Sequence, residues 1–248
     1  MDGGSTVTGP LEVEPEVLEE LQRRGVSSVY HFTPARNLPH ILRDERLRSV
    51  DDLDEDVRAF YANTDPNRFD GHTDKISCSL EFPNAWYLRR TVGKDKAINY
   101  PDWVILELEP EVAAIPGALF CYRNAAAANG RLLQPGATAL ISCYAYSVIG
   151  AQDRTYTRGP RHNPAAPTDG QAEVMVPGPI PLSSVRTVIH SSASLAAQEW
   201  ARLERLGRNP AVVDWASSPK LFDAYAVTSA AQNGSLIEVT PWVFGGTP

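Results

Sequence analysis

Short apolar runs and amphipathic stretches succeed one another along this chain without a regular rhythm. Residues 14–24 read as a helix, with Pro15 tolerated in the first turn and Gly25 ending it. Residues 27–32 read as a strand, after which Thr33 caps a helix running to residue 43, with Leu38, Ile41 and Leu42 on its apolar face. A helix at 54–63, a polar loop at 65–75, a strand at 76–80 and a helix at 83–91 follow. Residues 103–108 make the clearest buried strand, and 139–148 fit either helix or strand. Residues 150–170 form a long irregular loop with three prolines and three arginines. Glu173 then opens a short apolar strand, followed by a strand at 185–190, a helix at 195–206 and short strands near Val212 and Ile237.

Strands and helices mixed in this way, without alternating βαβ units, favour an α+β fold over a doubly wound sheet. No internal repeat and no interdomain linker stands out. The expected organisation is a flexible segment at 1–12, a single domain at 13–243 and a tail at 244–248.

Composition fits an ordinary globular core: 43% hydrophobic and 21% charged residues need no disulfide staples at this length. The start of the chain lacks a basic segment followed by an apolar one, so no signal peptide is expected, and no apolar run approaches the roughly 20 residues of a membrane span. Cys78, Cys121 and Cys143 lie far apart without CxxC spacing, which reads as reduced structural thiols in a cytoplasmic protein.

A net charge of −7 argues at first against a nucleic-acid partner. The acids are concentrated, however. Outside residues 11–20 and 44–56 the chain has 21 bases against 18 acids. Arg89, Arg90, Lys94 and Lys96 cluster, as do Arg154, Arg158, Arg161 and His162. A basic groove on an acidic protein is compatible with that pattern, and so is solvated surface charge.

Phosphate-loop, GxGxxG, HExxH and GxSxG motifs are absent, and the histidines and cysteines show no zinc spacing, so no metal is expected. The remaining candidates are polar groups at element ends. His31 sits between Tyr30 and Phe32 on a strand; a packed histidine is the plain alternative to a functional one. Thr33 and Asn37 follow at a strand-to-helix corner able to hold ribose hydroxyls and a carboxamide. Arg68 is either a surface charge or a planar donor fork for a pyrophosphate. Ser77 and Ser79 share one strand face and either line a pocket or sit at an edge. Tyr87, Arg89 and Arg90 suit base stacking with phosphate contact, or simple packing of Trp86 into the core. Glu173, at a loop-to-strand junction, is placed to oppose positive charge on a sugar during glycosidic cleavage.

Three segments, taken in order and spacing, resemble the DarT family of DNA ADP-ribosyltransferase toxins. They are Tyr30-His31-Phe32-Thr33 with Asn37 to Leu42, Arg68-Phe69-Asp70-Gly71 leading into Ile76 to Asn84, and Gln171-Ala172-Glu173-Val174. The resemblance implies a split mixed β-sheet and a transferase that breaks NAD at the nicotinamide–ribose bond and attaches ADP-ribose to a base in single-stranded DNA. It implies Glu173 and Arg68 as catalytic residues, and His31, Phe32, Thr33, Asn37, Ser77 and Tyr87 around NAD. Arg89, Arg90, Arg154, Arg158 and Arg161 would meet the DNA, with 150–170 as the recognition loop. Leu80-Glu81-Phe82-Pro83-Asn84 differs from the Pro-Arg-Ser-containing segment of the thymine-modifying branch and is similar to the guanine-associated branch. An antitoxin ADP-ribosyl hydrolase is implied as partner. The rival readings are transfer to RNA or protein, an NAD glycohydrolase, and a non-catalytic nucleotide- or nucleic-acid-binding module.

Overall fold

The computed structural model describes residues 11–53, 71–92 and 102–245. The expected helix at 54–63, together with Arg68, Lys94 and Lys96, lies outside the described residues. The first helix, α1 (Pro15–Arg24), starts and stops where its proline and glycine require. Gly25 takes the left-handed conformation at φ 73°, and its N–H closes onto the carbonyls of Gln22 and Leu21. Leu11 and Val13, just before it, pack against the core that Val17 and Leu21 enter.

The strand predicted at 27–32 is β1 (Val29–Pro34), which runs further than expected. Thr33 does not cap a helix. It stays in the sheet opposite Val104, and its hydroxyl accepts a hydrogen bond from Asn37 Nδ2 at 2.8 Å. The chain turns through a 3-10 segment (Ala35–Asn37) before α2 (Leu38–Asp44) begins. Two residues of β2 (Arg46–Leu47), not expected from the sequence, follow; β3 (Lys75–Leu80), α3 (Ala85–Val92) and β4 (Trp103–Leu108) then come close to prediction.

The ambiguous second half resolves into short elements. They are β5 (Leu119–Cys121), β6 (Gln134–Pro135), α4 (Gly136–Ser142), β7 (Ser147–Ile149) and β8 (Thr155–Thr157). The segment expected to be helix or strand is thus both in turn, and the long loop opens with a β7–β8 hairpin. Beyond it lie β9 (Glu173–Pro177), β10 (Ile180–Pro181), β11 (Val185–His190) and α5 (Ala193–Arg205). Val212 falls in a 3-10 turn before β12 (Asp214–Ser217), and Ile237 lies outside any strand, ahead of β13 (Thr240–Pro241). The sequence reading missed α6 (Ala224–Asn233), which Asp223 caps through the N–H groups of Tyr225 and Ala226 and Gly234 ends at φ 64°. Phe244, in the expected tail, stacks on Trp200.

Among the described residues, nine strands form one mixed sheet in the order β13-β12-β11-β4-β1-β3-β9-β5-β6. The β11–β12 pair is parallel and the other neighbours are antiparallel. The two halves are not zipped together along their length. β1 pairs with β4 through six residue pairs but with β3 only at Val29–Leu80 and Tyr30–Ser79. Beyond Tyr30 the two strands part, so the sheet is split at its centre. The large core lies on the face of Val29, Leu106, Val174 and Val176 and is closed by α1 and α4. On the other face, Tyr30, Leu88 and Ile105 form one small cluster and Cys121, Leu133 and Met175 another.

Candidate active site at the split of the sheet

Glu173 is the first residue of β9, between β3 and β5 and directly opposite Cys121. Strand alternation gives it the same face as Met175 and Ser77. Its side chain is buried and both of its oxygens accept hydrogen bonds. Oε1 accepts from Asn124 Nδ2 at 2.8 Å and from Asn84 Nδ2 at 3.2 Å, and Oε2 accepts from the Ala125 N–H at 3.2 Å. A carboxylate has only acceptors, so three converging donors both satisfy it and fix its direction.

Asn84 belongs to a longer chain of bonds. Its N–H donates to Ser79 Oγ at 3.1 Å, and its Oδ1 accepts from the Tyr87 N–H at 3.1 Å, three residues on, which caps α3. Ser79 in turn reaches the Tyr30 carbonyl at 3.5 Å. One network therefore ties β1, β3, α3 and β9 to the Glu173 carboxylate. Between Leu80 and Pro83 the chain bends sharply, with Glu81 in the left-handed region at φ 61°. The Ser27 N–H and hydroxyl hold the Glu81 carboxylate at 2.9 and 3.1 Å, so the bend that delivers Asn84 is secured from α1's side.

Sequence-predicted residues divide into those at the site and those beside it. His31 occupies the split itself, its Nδ1 2.8 Å from the Ser77 carbonyl. In register it pairs with Leu106, on the face opposite Tyr30 and Ser79, so it guards the parted edge of β1 rather than pointing along the Glu173 face. Ser77 is exposed on the Glu173 side. Phe32 and Tyr87 stand with ring centroids 6.0 Å apart, joining β1 to α3. Thr33 and Asn37 are both buried and bonded to each other, forming the rigid corner after β1.

Among the arginines, Arg89 lies over the rings of Tyr225 and Trp86 at 5.2 and 5.7 Å. Arg90 and Arg154 reach a cleft, and Arg161 is exposed. Arg158 is committed inward. Its guanidinium donates to the carbonyls of Ala166 and Asn163 at 2.7 and 2.8 Å and holds the loop's shape.

That cleft, of about 310 Å³, opens beside Ser79 and Ala172, between α3, α6 and the 150–172 loop. Asp169 lines it and is buried; burial pushes its carboxyl above the ordinary value, against the pull of the Gln171 N–H and of Arg123. Burial disfavours the thiolate form of the two cysteines near Glu173. Burial pushes Cys121 up to about 11, and Cys78 is raised further, with the Glu173 charge adding to both. Among the described residues, no group of three or more His, Cys, Asp or Glu could hold a metal, and no helix is long and apolar enough to cross a membrane.

The sequence reading passed over Asn124, Asp169 and the helix α6 that walls the cleft. For α6 the signal was present in the Asp223 cap and Gly234. Asn124 stands in an alanine-rich run with nothing to distinguish it.

Comparison with known proteins agrees with this architecture. No curated protein sequence matches the chain. It is similar in structure to Thermosipho africanus DarTG in complex with ADP-ribose, with 15% identity, 79% of this chain and 51% of that chain covered, and a TM-score of 0.51. Thermus sp. 2.9 DarT in complex with NAD+ aligns at 12% identity over 79% of this chain and 97% of that one, with a TM-score of 0.49. The same protein in complex with ADP-ribosylated ssDNA aligns at 11% identity, over 79% and 93%, with a TM-score of 0.43. The family model described as ssDNA thymidine ADP-ribosyltransferase, DarT, matches residues 30–218, so this chain belongs to the DarT family of NAD-dependent ADP-ribosyltransferases.

Proposed function

We propose that this chain transfers a single ADP-ribose from NAD to a base in single-stranded DNA, with Glu173 as the catalytic carboxylate. The observation that carries this reading is the Glu173 carboxylate held by three donors beside a split sheet. As nicotinamide leaves C1′ with the bonding electrons, the ribose gains oxocarbenium character. A fixed carboxylate next to that sugar accepts a hydrogen bond from a ribose hydroxyl and opposes the developing charge without having to reorganise. The base nitrogen then attacks C1′ and its proton passes to the Glu173 carboxylate. His31, at the parted edge of β1, fixes one of the two NAD riboses and Ser77 lines the Glu173 side, with Phe32, Thr33, Asn37 and Tyr87 shaping the corner after β1; Arg68 meets a phosphate or the target base.

Arg89, Arg90, Arg154 and Arg161 contribute cations for the DNA backbone, whereas Arg158 serves the loop that carries Arg154 and Arg161. A base paired in a duplex is out of reach of such a cleft, which supports a single-stranded substrate. Guanine is the target we favour, on the segment Leu80 to Asn84; the family's description as thymidine-specific favours thymine instead. The chain acts in the cytoplasm as the toxin of a pair whose antitoxin is an ADP-ribosyl hydrolase. The pairing is in line with the DarTG neighbour.

The test is mass spectrometry of single-stranded oligonucleotides of differing base content after incubation with the protein and NAD. A gain of one ADP-ribose on guanine-containing strands is expected. Release of nicotinamide with every DNA unmodified would move the acceptor to RNA, protein or water, and intact NAD with all acceptors would leave a binding module.

A further inference from the structure

Four residues before Glu173, Asp169 presents an acceptor that the fold leaves unused. Its Oδ1 takes the Gln171 N–H at 2.9 Å, and its carbonyl takes the Ala172 N–H at 2.9 Å, a tight turn that leads straight into β9. Its Oδ2 is buried and has no hydrogen-bond partner among the described residues. A buried carboxylate oxygen without a donor is costly, so a donor brought from outside the fold would stabilise it.

The surroundings indicate what kind of ligand. Asp169 lines the 310 Å³ cleft together with Phe82, Trp86 and Tyr156, while Arg90 and Arg154 also border it. Aromatic planes, one buried acceptor and two cations fit a stacked nucleobase with its phosphates better than an apolar or cationic ligand. Gly150 lies so close to Oδ2 and the Tyr156 ring that any Cβ there would collide with both. In this state Oδ2 and the Tyr156 ring both pack against Gly150.

Watson–Crick edges differ in what they offer a carboxylate. Guanine presents two adjacent donors, N1–H and the N2 amino group. Thymine presents one N–H flanked by carbonyl oxygens that a carboxylate repels, and adenine and cytosine each present one donor group beside an acceptor nitrogen. We propose that Asp169 is the specificity-determining residue of the DNA site, accepting from the guanine Watson–Crick edge and so selecting guanine over thymine. The proposal rests on the single-stranded DNA reading above and names the base that reading favours. A site built to receive those donors rejects a base lacking them, because the buried acceptor is then left unpaired.

The experiment is binding without turnover. The full chain, without NAD, is titrated into labelled single-stranded oligonucleotides that differ at one position: guanine, O6-methylguanine (which lacks N1–H) or thymine. The wild type is expected to bind the guanine strand at least tenfold more tightly than the other two. Asp169→Asn, nearly isosteric, is expected to bind all three within about twofold. Equal wild-type binding of guanine and O6-methylguanine overturns the inference, as does an Asp169→Asn protein that keeps the full preference. If Asp169→Asn fails to fold, the wild-type comparison decides alone. Thymine preferred by the wild type overturns this inference but leaves the DNA reading standing; no binding to any strand overturns both.

Discussion

Asn84 serves two structures at once: its Nδ2 donates to Glu173 Oε1 at 3.2 Å, and its Oδ1 caps α3 through the Tyr87 N–H at 3.1 Å. The Glu173 carboxylate is thereby tied to the start of a helix as well as to the loop that carries Asn124 and Ala125. Asn84→Ala should cost about 1 kcal/mol of stability through the lost cap and lower transfer by tenfold or more. Asn84→Asp should retain the cap but place a second carboxylate against Glu173. Its transfer should fall at least as far while its melting temperature stays closer to wild type. Equal activity of Asn84→Ala and wild type would show that Glu173 needs no such support.

The arginines of the 150–170 loop should separate into two classes. Arg158, bonded to the carbonyls of Ala166 and Asn163, is a strut. Arg158→Ala should lower stability by about 2 kcal/mol and make the loop more sensitive to protease. Arg154→Ala and Arg161→Ala, at exposed positions, should leave melting unchanged. Each should weaken binding of single-stranded DNA and reduce its salt dependence by about one unit of slope. Salt-insensitive binding by the wild type would contradict a role for these cations.

Acid sensitivity should come in part from His190. It is 1% exposed, lies against Trp215 with parallel rings 5.2 Å apart, and has no partner for Nε2 among the described residues. Burial lowers its pKa from 6.5 to about 4. The folded value lies below the unfolded one, so the stability it contributes is full above pH 6.5 and is lost as pH falls toward 4. The loss should reach about 3 kcal/mol. Denaturant titrations across that range should show it, and His190→Phe should flatten the slope.

Much of this fold was legible because its strands are short, apolar and bounded by turn residues. β4 and β11 run as expected, and Glu173 sits at the start of β9 as its loop-to-strand context indicated. Thr33 was misread because a threonine before a helix looks like a cap; sheet pairing to Val104 prevailed over that local preference. The helix α6 escaped because alanine, serine and threonine give it a weak apolar stripe, although its cap and terminator were in plain view. Asn124 was illegible for a different reason. Its role depends on β5 lying beside β9, a long-range pairing that no local pattern records.

The central claim is that Glu173 performs the chemistry. The most direct measurement incubates wild type and Glu173→Gln with NAD and single-stranded oligonucleotides and reads both nicotinamide release and oligonucleotide mass. Wild type should add one ADP-ribose per modified strand. Glu173→Gln should melt within a few degrees of wild type, bind the same strands, and lose transfer by a factor of at least about a hundred. Transfer by Glu173→Gln at the wild-type rate would contradict the account.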